Sequence, residues 1–409
     1  MDIISTLSDD LLLKICSLLP TKDVFATTVL SKRWKFLWEM IHKLDFDDNF
    51  ERCINEDSVN GIPSSYERFL QFVDRVMVLH KAPVVDSLKF KVGPWCNSED
   101  IAHWIRIGIV RRVRQLELEI SHSVDYYEYH ESIVLPRSLY VYAKLEVLKL
   151  TNTILLDVIT KDVRLPSLKS LHLLCVKYKT YACHCRLLSG CPVLEELVMD
   201  KSENSSLSCV CVLVPSLERL SILDTCRALP VYMIELAEAN VNAVGECPEV
   251  LMESIVPVKR LSLCLSISAS MREDHIVYHQ LIHLELCLDA SKWWELFTWM
   301  LEISPKLQVL KLNKCKEHWL SRVYKPIEGC WGQPSSVPEC LLNHLNTFEW
   351  KNYNGREEEK KLVAYILKNA RHLKTASFSY MCLEWKKKAI RKELVSLPRG
   401  SSSCKLVLD

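Results

Sequence analysis

Glycine is scarce, with nine residues in 409. That argues against Gly-rich phosphate loops as a theme, and no Walker-type, dinucleotide, Gly-x-Ser-x-Gly or His-Glu-x-x-His fingerprint occurs. Long apolar runs are missing too. Nothing reaches about 18 consecutive apolar residues, so no membrane span is expected. Neither sign of charge dominates: 52 Lys and Arg stand against 51 Asp and Glu, a net charge of +1. That balance gives no reason to expect nucleic acid or an anionic membrane as a partner. The opening MDIISTLSDD lacks the basic stretch and apolar core of a secretory signal.

Cysteine, by contrast, is plentiful, with 18 residues spread along the whole chain. Without secretory features this pattern predicts reduced, mostly buried thiols and a location in the cytoplasm and/or nucleus. The sequon Asn204-Ser205-Ser206 is then a chance match. The densest group is Cys183-His184-Cys185 with Cys191, Cys209 and Cys211. Its Cys-x-Cys spacing is tighter than a usual zinc pair, so structural thiols are the expectation. His275, His279 and His283 have no evident carboxylate partners. No catalytic residue, metal site or cofactor is expected.

The first 46 residues are patterned most densely. Ser8 precedes Asp9 and Asp10, a capped and acidic helix start that suits the helix dipole. Leu11, Ile15 and Leu18 recur at helical spacing, and Leu12, Cys16 and Leu19 repeat it one position on. So broad an apolar surface predicts burial on two sides, one inside the module and one against something else. Pro20 stops this helix and Thr21 is positioned to cap the next. Ser31 is expected to cap a third, with Leu30, Trp34, Leu37 and Trp38 on its inner face. Lys32, Arg33 and Lys35 form a solvated basic rim. Forty residues bury too little to fold firmly alone, so the module is expected to complete its core against a partner.

The string L-x-D-x-L-L-x-x-I…L-P-x-K-D…T-x-V-L-S-K-R-W…L-W…L-D-F resembles the F-box of plant F-box proteins. The resemblance implies that Leu7, Ser8, Leu11, Leu12, Ile15, Leu18, Leu19, Pro20, Val24, Val29 and Trp34 form the surface that docks on a Skp-type adaptor, and through it on a cullin. Ser8 departs from the pattern, which has proline there.

Residues 47–63 are polar and unpatterned, as in a surface loop. Ser64 to Glu67 then open a helix to about Leu79, with Phe69, Phe72, Val73 and Val76 inward. Beyond it one unit repeats, an apolar-x-x-apolar-x-apolar strand followed by a variable return. Copies start at Val85, Val113, Leu145, Leu168, Leu194, Leu217, Leu236, Val258, Leu281, Leu307, Leu345 and Leu373, the one at Leu236 being the weakest. Most intervals lie near the leucine-rich-repeat range of roughly 20 to 29 residues. No strand can bury its leucines alone, but stacked neighbours make one continuous core.

The predicted fold class is therefore α/β. A three-helix module precedes a leucine-rich-repeat solenoid, a parallel-sheet horseshoe with helices and loops on its convex side. Residues between and just after the strand leucines would face the concave side. Near the middle these are His172, Leu174, Val198, Asp200, Ser221, Leu223, Cys264, Glu285 and Cys287, an apolar-and-polar mix with charged ends. Either this face or the loops on the rim would recognise a protein substrate.

The interval from Leu307 to Leu345 is the longest, with its own aromatics Trp319, Tyr324 and Trp331. An Asn354-Gly355 turn leads into a helix from Arg356 to Ala370, with Glu357 and Lys361 as an i, i+4 pair. The run from W-G-Q-P-S-S-V-P-E-C-L through N-A-R-H-L-K-T to L-P-R-G-S-S-S-C-K-L-V-L resembles the FBD domain of one class of plant F-box proteins. It continues the solenoid. The expected division is 1–46 F-box, 47–84 linker and capping helix, 85–336 repeats and 337–409 FBD. These resemblances imply a non-catalytic, substrate-recognition subunit of a Skp–cullin–F-box ubiquitin ligase. The alternatives are a non-ligase F-box scaffold and a small-molecule-responsive F-box receptor.

Overall fold

The structure, a computed structural model, describes residues 4–48, 58–59, 62–120, 132–158, 163–201, 214–224, 235–246, 249–266, 276–288, 293–313, 331–380 and 384–409. It divides into two compact units, Met1–Leu207 and Ser208–Asp409.

The first unit opens with three short helices, α1 (Asp9–Cys16), α2 (Thr21–Ala26) and α3 (Lys32–Leu37). Ser8 caps α1 as expected, its hydroxyl accepting from the Leu11 N–H at 3.4 Å. Two expectations fail. Thr21 is the first residue of α2 rather than its cap, and its hydroxyl instead accepts the Asp45 N–H at 2.7 Å. Ser31 stands at the cap position of α3 without a side-chain hydrogen bond, and Leu30 is exposed while Trp34, Leu37 and Trp38 are buried.

The module also closes its core within the chain. The residues after α3 form a strand, β1 (Lys43–Asp47), which the repeat pattern did not anticipate. It pairs in parallel with β2 (Ser87–Val92), setting Leu44 beside Leu88 and Phe46 beside Phe90. Helix α4 (Ser64–Leu79) covers this junction. Its Phe72 meets Phe25 edge-on at 5.8 Å and Phe46 at 6.2 Å, and Phe46 stacks on Phe90 at 5.2 Å. Within 47–63, residues 58–59 and 62–63 form a small antiparallel pair. The rest of that predicted loop, except Asp47 and Asp48, lies outside the described residues.

From β2 the sheet continues in parallel through β3 (Gln115–Ile120), β4 (Val147–Asn152), β5 (Ser170–Tyr178) and β6 (Glu196–Lys201). Leucines and isoleucines at alternate positions are buried on one face. Helix α5 (Ser98–Val110) packs there, its Trp104 stacked on Phe90 at 4.9 Å. Gly108 permits the approach, since a Cβ at that position would lie 2.9 Å from Leu88 Cδ2. Helix α6 (Tyr181–Ser189) follows β5.

The second unit repeats the scheme with β7 (Arg219–Asp224), β8 (Glu238–Glu246), β9 (Arg260–Ser266), β10 (His283–Cys287), β11 (Val309–Asn313), β12 (Thr347–Trp350), β13 (Thr375–Phe378) and β14 (Lys405–Leu408). Each pairs in parallel with the next. The helices between them are α7 (Glu249–Ser254), α8 (Trp293–Glu302), α9 (Glu339–Asn343), α10 (Glu357–Asn369) and α11 (Glu384–Ser396). Every predicted repeat start lies two residues before a strand, the weak copy at Leu236 included. Like β1, β14 was not anticipated.

A backbone device fixes the spacing between rungs. At the entrances of β2 to β6 and of β8 to β13, one carbonyl accepts two successive N–H groups of the next rung. The Arg114 carbonyl takes Glu146 and Val147, and the Glu218 carbonyl takes Ala237 and Glu238. The series begins at His42, whose carbonyl takes Asp86 and Ser87. The N-terminal module is thus the first rung of the first unit's sheet.

In the longest interval, 314–330 lies outside the described residues, and Trp331 is buried edge-on against Tyr365 at 5.2 Å. Gly355 has φ +66°, the left-handed turn expected of it. The expected Glu357–Lys361 pair is not formed. Lys361 pairs with Glu358 at 2.7 Å and Lys360 with Glu357 at 3.0 Å, both at i, i+3.

Candidate interaction surfaces

Helix α1 divides its apolar residues cleanly. Leu12 and Cys16 are buried, whereas Leu11 is 47% exposed and Ile15 42%. Leu18, at 82%, and Leu19 extend the exposed set past the helix end, and Pro20 is exposed beside them. Leu7 is half-buried and Ser8 exposed. Val29, in the turn after α2, is 86% exposed. Leu12, Val24 and Trp34, included in the expected docking set, lie in the core; they support the surface from beneath rather than forming it.

Sequence reading missed Ile4, Leu30, Phe36 and Met40, which are also exposed. The signal for Phe36 was present: two residues from buried Trp34, it falls on the opposite side of α3. Of the eighteen large apolar side chains exposed among the described residues, nine lie between residues 4 and 40. So dense a patch of exposed apolar side chains is the kind of surface on which partners dock. Lys14, Lys22, Lys32 and Lys35 are exposed on the same three helices and give them a basic rim.

Arg33 does not belong to that rim. Its guanidinium pairs with Asp9 at 2.6 Å and donates to the Leu7 carbonyl at 2.5 Å, fastening α3 to the entrance of α1. At the other end of the module, His80 is buried with Nε2 2.7 Å from the Ile41 carbonyl and Nδ1 2.9 Å from Arg111. Burial, with the Arg111 charge adding to it, pulls the imidazole down to about 4. A neutral imidazole there bridges the F-box-like module, α4 and α5.

A second surface lies on the helix-free face of each sheet. In the first unit, strict alternation puts His172, Leu174, Val198 and Asp200 on it, half-buried. Glu196 joins them; sequence reading began one position too late on each strand to see it. Its carboxylate accepts from the Ser170 hydroxyl at 2.6 Å and lies 3.3 Å from His172 Nε2. Cys175 sits at φ +53° in a bulge, its Sγ 3.5 Å from Asp200 Oδ2, and burial followed by that carboxylate pushes its thiol up to about 12.

In the second unit, Ser221, Leu223 and Glu285 are half-buried on the open face, but Cys264 and Cys287 are buried and offer no contact surface. Three cations on this side are held in ion pairs, Lys89 with Glu117 at 3.0 Å, and Lys311 and Lys351 with Glu349 at 3.5 and 3.3 Å. Among the described residues no three His, Cys, Asp or Glu side chains are placed to hold a metal; Cys209, Cys211 and His275 lie outside them.

Three family models match the chain: the F-box domain over residues 4–45, the leucine-rich repeats of an FBD-associated F-box protein over 101–244, and FBD over 333–378. A putative FBD-associated F-box protein of Arabidopsis thaliana is 53% identical, with the whole of both chains covered. The chain belongs to the FBD-associated F-box family. An F-box/FBD/LRR-repeat protein of the same plant is 41% identical, again over the whole of both chains, and a further FBD-associated F-box protein is 37% identical over the same extent.

The F-box match ends inside β1, the strand that pairs with β2. In this F-box protein the module is therefore joined to the sheet by a hydrogen-bonded rung. The FBD match ends with β13, and β14 stands beyond it.

Proposed function

We propose that this F-box protein is the substrate-recognition subunit of a Skp–cullin–F-box ubiquitin ligase. One observation carries the reading. A module whose interior is already complete keeps Leu11, Ile15, Leu18 and Leu19 exposed on the outer side of α1 and the turn after it. That surface receives the Skp-type adaptor, and a cullin joins through the adaptor. The open sheet faces hold a protein substrate, with His172, Glu196, Leu174, Val198 and Asp200 as the contact surface of the first unit. The subunit performs no bond chemistry. It raises the effective concentration of its substrate beside a recruited ubiquitin-conjugating enzyme. The shared rung at His42 supports this role, because a stiff junction holds the first repeats in a fixed place relative to the adaptor. The protein acts in the cytoplasm and/or nucleus.

The test is co-expression of the full chain with a plant Skp-type adaptor and a cullin, followed by size-exclusion chromatography. The reading expects one peak holding all three. Adaptor without cullin would point to a non-ligase scaffold, and a chain eluting alone would sink the proposal.

A further inference from the structure

Strand β14 (Lys405–Leu408) has a free edge. It pairs in parallel with β13 on one side, and among the described residues no strand lies on the other. The N–H groups of Lys405 and Asp409 bond back to Lys374 and Phe378, so odd-numbered backbone groups face β13. Those of Leu406 and Leu408 therefore point outward. The Arg391 guanidinium reaches the Leu408 carbonyl at 3.1 Å, and that carbonyl keeps a second lone pair.

The side chains are as unfinished as the backbone. Leu406 and Leu408 align with buried Ala376 and Phe378, yet both remain half-exposed. Val407 is 39% exposed on the opposite face, flanked by exposed Lys405 and Asp409. Folded proteins blunt such an edge with proline, a bulge, charged side chains or a covering helix, and of these the edge has Lys405 and the Arg391 contact. Here the segment reads Lys-Leu-Val-Leu-Asp, with no proline.

Read against its own reverse, the segment is complementary. Pair two copies antiparallel about Val407, and Val407 meets Val407, Leu406 meets Leu408, and Lys405 meets Asp409. The outward backbone groups fall into place in the same register. Each Leu406–Leu408 pair exchanges two hydrogen bonds, and the Val407 pair between them is of the non-hydrogen-bonded kind. An isologous contact with a two-fold axis is the commonest way for a chain to meet its own copy.

We propose that β14 is a self-association edge, through which two copies of this chain join their second-unit sheets antiparallel about a two-fold axis at Val407. One short strand pair makes a weak, concentration-dependent dimer. Two sheets joined in this way present two substrate faces and two F-box modules in one particle.

The test is sedimentation equilibrium of the full chain across a range of concentrations, with charge-swapped and cysteine variants. Wild type should show a monomer–dimer equilibrium. Lys405→Asp or Asp409→Lys alone sets two like-charge pairs across the axis and should weaken dimerisation about tenfold. The double swap should restore it. Under mild oxidation Val407→Cys should give a disulfide-linked dimer beyond the wild-type background, because a non-hydrogen-bonded pair sits about 4.5 Å apart at Cα. Lys405→Cys should not, since the two copies of residue 405 lie about 13 Å apart in this register. A wild-type chain that stays monomeric at every concentration overturns the proposal. So do single swaps without effect, a double swap that does not recover, or equal cross-linking at 405 and 407. All of these substitutions are at exposed positions, and circular dichroism confirms that each variant is folded.

Discussion

Arg33 and Asp9 are 24 residues apart in sequence, and their side chains meet at 2.6 Å. The same guanidinium donates to the Leu7 carbonyl, so one side chain of α3 holds both the turn before α1 and the first acidic residue of the helix. The exposed leucines follow directly. Arg33→Ala should cost about 1 kcal/mol or less in urea unfolding, because the pair is solvent-exposed. It should also weaken adaptor capture by loosening the Leu7–Ser8 turn. Lys35→Ala, on the same helix and making no such contact, should change neither.

Ser8 occupies the position where the family pattern has proline, and its φ is −67° with ψ 157°. Proline holds φ near −65°, so the backbone already has the shape that proline would impose. The departure removes rigidity but not geometry. Ser8→Pro should therefore raise stability by about 0.4–1 kcal/mol, by restricting the unfolded chain. The lost cap bond is long at 3.4 Å and offsets little of this. A thermal melt of the two proteins checks it, and a lower midpoint for the proline variant would refute it.

His80 sets an acid limit on the fold. Its folded pKa, about 4, lies below the ordinary 6.5, mainly through burial. Below 6.5 the unfolded chain binds a proton that the folded chain refuses, so stability is full above pH 6.5 and falls as pH drops toward 4. The loss across that window is on the order of 3 kcal/mol. Urea midpoints measured from pH 7.5 to 4.5 should fall, and His80→Gln should flatten that fall while lowering the midpoint at pH 7.5. An unchanged slope in the variant would contradict the assignment.

Much of this fold was legible because leucine spacing reports a stacked sheet directly. Twelve of the described strands in the two units follow from it. Two that escaped, β1 and β14, open the first unit's sheet and close the second's. There the pattern shortens to Leu44-Asp45-Phe46 and Leu406-Val407-Leu408. The exposed apolar surface of the N-terminal helices was legible as a set of residues but not as an arrangement. Two interleaved helical stripes on α1 looked alike, and only packing against α3 and the turn after it distinguishes Leu12 and Cys16 inside from Leu11 and Ile15 outside. Glu196 and Arg33 escaped for a different reason. Their roles depend on partners 24 residues away in each case, His172 and Asp9, which local spacing does not report.

The claim that the outer side of α1 is the adaptor's seat is tested most directly by calorimetric titration of a purified Skp-type adaptor into the full chain. Three proteins are needed: wild type, the double variant Leu11→Asp with Ile15→Asp, and the core variant Leu12→Ala. Leu12→Ala should bind like wild type while losing about 2–5 kcal/mol of stability, provided it is measured where it remains folded. The outer-face double variant should unfold like wild type yet bind at least about 30-fold more weakly, the loss expected when central apolar anchors are removed. Wild-type affinity in that double variant would contradict the account.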